Sequence, residues 1–151
     1  MKLMQLNPTR LTLAALLATT LGACSMMPMA PAMTTLAAPL SAANEVPAGT
    51  SAGSGMAEAK LDAATRTLSW TINYRALSGP ATAAHFHGPA MAGQNTGVAL
   101  PMKGDLASPI TGSAMLTEAQ MADVMAGRWY FNIHTAANPG GEIRGQLTVR
   151  P

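Results

Sequence analysis

The sequence predicts an all-β domain, an antiparallel Greek-key sandwich or flattened barrel with one short helix near residues 117–126. Two observations point there. From residue 56 onward apolar residues recur with a period of two, as in strands with one buried face, and clusters of Gly, Pro, Asn and Asp separate the runs. The chain also lacks the strand-helix-strand repetition that a parallel sheet needs.

The chain opens on a segment that stands apart from this pattern. Lys2 and Arg10 precede the apolar run LTLAALLATTLGA, which is too short to span a bilayer and has the charge order of an export signal. The run ends in Leu21-Gly22-Ala23-Cys24, which resembles the bacterial lipobox, where the cysteine is acylated and the chain is cut just before it. Residues 1–23 therefore read as a lipoprotein signal peptide and Cys24 as the lipidation site, with cleavage after Ala30 or Ala32 as the alternative. Ser25 after the cysteine, with no Asp, resembles the lipoproteins that Gram-negative cells send to the outer membrane. The expected location is the periplasm or cell surface, with the membrane reached through the lipid.

Loss of the signal removes two of the nine basic residues, so the mature chain has seven against seven acidic ones. The formal charge of +2 thus lies in the signal, and no nucleic-acid partner is expected. With its single cysteine acylated the chain has no disulfide, so stability rests on a packed core or on a core plus a metal. Residues 24–40, rich in Met, Pro and Ala and without period, read as a tether. Residues 41–151 read as a single domain.

Within the domain, MAEAKL (56–61) and LSWTINYRAL (68–77) alternate and are joined by the turn residues DAATRT, which predicts an antiparallel hairpin. ATAAHFH (81–87) is a third strand, stopped by Gly88 and Pro89; GVALPM (97–102) and ITGSAM (110–115) are shorter ones. Thr117 can cap a helix in a capping box with Gln120, with Leu116, Met121, Val124 and Met125 on its apolar side and Gly127 at its end. RWYFNIHT and EIRGQLTV are the last strands, separated by the turn-forming AANPGG. In the first of these, Trp129, Phe131 and Ile133 share one face and Arg128, Tyr130, Asn132 and His134 the other. Phe86 likewise opposes His85 and His87, so the histidines are expected outside the apolar core.

Those three are all the histidines in the chain. His-x-His on a strand points two imidazoles the same way, with Cβ atoms roughly 6–7 Å apart, and His134 can supply a third nitrogen. Three neutral imidazoles suit copper or zinc and leave a coordination position open. Without a second cysteine or a carboxylate cluster, thiolate, calcium and magnesium sites are excluded. Export and the thioethers of Met26, Met27, Met29 and Met33 tilt the choice toward copper, although those methionines also fit as apolar filler. Met91 and Met102 are candidates for a soft axial ligand, or for core. Scattered surface histidines are the alternative to a site. No catalytic residue is assigned, since no Ser or Cys nucleophile has an evident partner.

The stretches LSAANEVP, GMAEAKLD running into TLSWTINYRAL, AHFHGPA, and WYFNIHTAANPGGEIRGQL together resemble the CHRD domain, named from chordin and found in many exported bacterial proteins. The resemblance covers about residues 40–150 and implies an immunoglobulin-like sandwich, sometimes compared with the copper/zinc superoxide dismutase fold. By position its histidine motifs fall on His85, His87 and His134, followed by Glu142 and Arg144. Glu142 can orient an imidazole through its other ring nitrogen, and Arg144 can pair with Glu142 or another carboxylate; a structural role is the first expectation for both. A dismutase would need a fourth copper ligand and a separate zinc site, for which no histidine is left. The expected function is an envelope-anchored copper protein for storage, delivery or tolerance. The alternatives are a metal-free protein-interaction module and a copper redox enzyme.

Overall fold

The structure, a computed structural model, describes residues 33–150. The signal peptide, Cys24 and the tether methionines 26, 27 and 29 lie outside the described residues. In chain order the elements are β1 (Met33–Ser41), a 3-10 turn (Ala42–Asn44), β2 (Ser54–Asp62), β3 (Thr67–Arg75), β4 (Ala81–His87), β5 (Val98–Pro101), β6 (Ile110–Met115), α1 (Glu118–Met125), β7 (Tyr130–Thr135), β8 (Ile143–Gln146) and β9 (Thr148–Val149).

The strands form one antiparallel sheet in the order β5-β4-β7-β8-β1-β2-β3-β6, with β9 on β1. Trp70 of β3 nonetheless meets Phe86 of β4 edge-on with ring centroids 5.5 Å apart, although four strands separate β3 and β4 in that order. The sheet therefore curls over on itself into two facing layers, β6-β3-β2-β1 and β5-β4-β7-β8. Consecutive strands β3 and β4, and again β5 and β6, lie in opposite layers, the crossing pattern of a Greek-key sandwich. The core between the layers holds Leu36, Leu61, Ile72, Phe86, Phe131 and Ile133, all essentially inaccessible to solvent.

The alternation worked for the hairpin, where Leu68, Trp70 and Ile72 are buried and Asp62 Oδ1 accepts from the Ala64 and Thr65 amides to close the turn. The capping signal placed the helix. Thr117 Oγ1 accepts from the Gln120 amide at 3.2 Å while Gln120 Oε1 accepts from the Thr117 amide at 2.9 Å, a complete capping box. Gly127 ends the helix with φ +68°, and Leu116 and Val124 are buried, whereas Met125 faces solvent.

The domain begins earlier than residue 41. Residues 33–40, assigned to the tether by sequence, form β1, which lies inside the sheet between β2 and β8. Leu36, Ala38 and Leu40 do point inward in alternation, but Ala37 and Pro39 between them are not polar, so the run shows no period. Pro39 is tolerated because it falls where β1 has left β9, paired at Leu36 and Ala37, and only meets β8 at Ser41. Gly145 of β8 lets the chains come together there, since a Cβ at that position would overlap the Pro39 carbonyl.

Candidate metal centre

β4 and β7 are paired antiparallel, and their outward side chains form the site. His85 stands directly across from Asn132, Tyr130 across from His87, and His134 across from Ala83. His87 and His134 are thus the diagonal neighbours of the His85–Asn132 pair. One ring nitrogen from each of His85, His87 and His134 lies within 4.8 Å of the other two. His85 Nδ1 is 3.2 Å from His134 Nε2, and the rings sit edge to face with centroids 5.0 Å apart.

Backbone carbonyls set which nitrogens are free. His87 Nδ1 lies 2.9 Å from the Thr96 carbonyl oxygen and His134 Nδ1 lies 2.9 Å from that of Pro139. A carbonyl can only accept, so both Nδ1 atoms carry the hydrogen and both Nε2 atoms present lone pairs. Those two Nε2 atoms converge on Asn132 Oδ1, each at 3.1 Å. The surroundings of His85 and His87 also favour their neutral forms. Burial lowers the pKa of His85, and the neighbouring His134 and His87 lower it further; burial lowers that of His87 despite its bonds to Thr96 and Asn132. Neutral imidazoles held by carbonyls on Nδ1, with Nε2 free, are the form in which histidines ligate metal.

A model of the CHRD domain matches residues 36–147 of this chain. The chain belongs to the CHRD family. No curated protein and no solved structure shows a significant match. The match begins inside β1, in agreement with the earlier domain start.

The outer face of this CHRD domain is more covered than its alternation implied. His87, expected outside the core, is 8 % exposed, and Tyr130 and Asn132 are buried as well. The cover is the loop between β4 and β5. Arg144 fastens it, donating to Asn95 Oδ1 at 2.7 Å and to the Gln94 carbonyl at 2.6 Å, while Asn95 donates to the Val46 carbonyl. Tyr130 fills the space beneath: His87 from β4 stacks on its ring at 4.6 Å, and the Arg144 guanidinium from β8 lies 3.4 Å from its centroid.

Four of the candidate residues take other places. Glu142 does not orient an imidazole. It is fully buried and accepts from Ser51 Oγ, the Ser78 amide and hydroxyl, Thr135 Oγ1 and Asn138 Nδ2, tying β7 and the loops before β2 and β4 together. Burial alone would raise its pKa, but the hydrogen bonds from Ser51, Ser78 and Thr135 hold it at about 2. Arg144 does not pair with Glu142; the carboxylate that feels its charge is Glu45. Met102 packs toward the core in a groove with Trp70, Leu100 and Ile110, and Met91 is exposed in a turn. The backbone carbonyls of Thr96 and Pro139 orient the imidazoles, and Glu142 has the structural role that was its first expectation.

Two residues of the site were not singled out by sequence. Asn132 was placed on the histidine face of β7, and its position two residues before His134 was the available signal. Glu45, in the LSAANEVP stretch, is buried with its Oε1 lacking a partner among the described residues. Burial raises its pKa to about 7 against the opposing pull of Arg144, the Val46 amide and the Asn132 side chain.

Proposed function

We propose that this protein is a metal-binding protein of the cell envelope that takes up copper through His85, His87 and His134, for storage, delivery or tolerance rather than for a reaction of its own. The observation that supports this reading is the convergence of three ring nitrogens within 4.8 Å, two of them with lone pairs aimed by carbonyl-bound Nδ1 atoms. The donor chemistry fits a borderline divalent ion and not a hard one, since no carboxylate of the described residues joins the three histidines. A bound ion would supply a positive charge to which three lone pairs can point at once. Copper is favoured over zinc by the methionines ahead of the domain, and the lipobox-like Cys24 supports an anchor in the envelope.

Titration of the apo-protein with Cu(II) and Zn(II), beside His85→Ala and His134→Ala, tests the site. One ion per chain is expected for the native protein and at least tenfold weaker binding for each variant. Equal stoichiometric binding by all three would sink the three-histidine site, and failure of any metal to bind would favour the interaction module. For the anchor, Cys24→Ser should move the protein from the membrane to the soluble fraction.

A further inference from the structure

We infer that the side-chain carbonyl oxygen of Asn132 is a fourth donor of this centre. This rests on the metal reading above and adds an amide oxygen to the three imidazoles.

Position comes first. Asn132 lies in the middle of the three histidines, opposite His85 and diagonal to His87, and its Oδ1 is 3.1 Å from Nε2 of both His87 and His134. Donors bound tetrahedrally at about 2.0–2.1 Å stand about 3.3–3.4 Å from one another. Three of the six separations in that set are near that spacing, Asn132 Oδ1 to His87 Nε2 and to His134 Nε2 at 3.1 Å each and His85 Nδ1 to His134 Nε2 at 3.2 Å, and the three ring nitrogens lie within 4.8 Å of one another.

The protons give the second reason. With both Nδ1 hydrogens committed to carbonyls, neither His87 nor His134 in its neutral form has a hydrogen to give Oδ1. Oδ1 then faces two nitrogen lone pairs, of which only that of His134 has another donor in reach, His85 Nδ1. That arrangement is unfavourable as it stands and favourable around a shared cation. Reversing the amide would let its NH2 group donate to both rings, an orientation in which Asn132→Ala would leave metal binding unchanged.

Three imidazoles and an amide oxygen form a harder donor set than three imidazoles alone, so the centre should favour Cu(II) or Zn(II) over Cu(I). The test titrates native protein, Asn132→Ala and Asn132→Asp with Cu(II) and Cu(I), and records the Cu(II) paramagnetic resonance spectrum of each. Asn132→Ala should weaken Cu(II) binding roughly ten- to a hundredfold, lower the Cu(II)-to-Cu(I) affinity ratio and alter the spectrum. Asn132→Asp, which keeps an oxygen there, should recover most of the Cu(II) affinity.

Native affinity and an unchanged spectrum in Asn132→Ala, with binding lost in His134→Ala, would overturn the fourth donor and leave the three-histidine site standing. Absence of binding by the native protein would remove both. Should neither Asn132 variant fold, native protein labelled with carbon-13 decides. On adding Zn(II), the side-chain carbonyl of Asn132 should shift more than those of Asn95 and Asn138, and an unmoved signal would overturn the proposal.

Discussion

Single titrating groups at and around this site lose their effect as the pH falls, each over its own range. His85 and His87 have pKa values below the ordinary 6.5, so both rings stay neutral and available to a metal to lower pH than free imidazole. Metal affinity should hold from pH 8 to about 6.5 and then fall with a midpoint below 6.5, read by titration in a series of buffers; a steep loss already above pH 7 would contradict the buried, neutral rings. Glu142 behaves as a depressed acid. Its folded pKa of about 2 lies below the ordinary 4.5, so its contribution is complete above 4.5 and lost as the pH falls toward 2. Glu142→Ala strands the Ser51, Ser78 and Thr135 hydroxyls that donate to it and should cost on the order of 3 kcal/mol at pH 7, with a smaller difference from the native protein near pH 2. Denaturant melts at both pH values check this.

Among elements, Phe86 of β4 reaches across the core to Trp70 of the facing layer and packs on Phe131 of its own. Phe86 is buried and touches Trp70, Trp129 and Phe131 with ring centroids 5.5, 6.0 and 4.9 Å away. Phe86→Ala should cost about 3–5 kcal/mol, and because Phe86 sits between His85 and His87 on β4 it should also weaken metal binding. Thr117→Ala removes half of the capping box far from the site and should cost about 1 kcal/mol with metal binding unchanged. This is also the scale at which the sequence was most legible. Alternation and turn residues placed β2 through β8 and the helix to within a few residues, and the opposition of Phe86 to its flanking histidines showed which way the site faces. β1 was hidden because Leu36 to Leu40 is apolar throughout and contains a proline, so burial on both faces left no period to read. The three histidines could be grouped from strand geometry, whereas the partners of Glu142 and Arg144 could not. Those come from Ser51, Ser78, Gln94 and Asn95, loop residues whose approach depends on how the sheet curls.

For the whole molecule, β1 joins what would otherwise be two sheets. It pairs along its full length with β2 in one layer, meets β8 of the other at Ser41, and carries β9 at Leu36 and Ala37. A chain starting at Met33 should therefore fold cooperatively, and one starting at Ala42 should lose the cooperative transition, as read by thermal unfolding. Folding of the shorter chain would contradict the joining role of β1. The same curl brings Glu45, just beyond β1, against Asn132 of β7 and Arg144 of β8, so the first strand also shapes the outer face where the histidines meet.

The most direct measurement is the metal content of protein purified without added metal and then titrated with Cu(II), compared with a variant in which His85, His87 and His134 are all alanine. One tightly bound ion per native chain and none per variant is the predicted result. Equal uptake by both proteins, or no uptake by either, would contradict a metal centre at these three histidines.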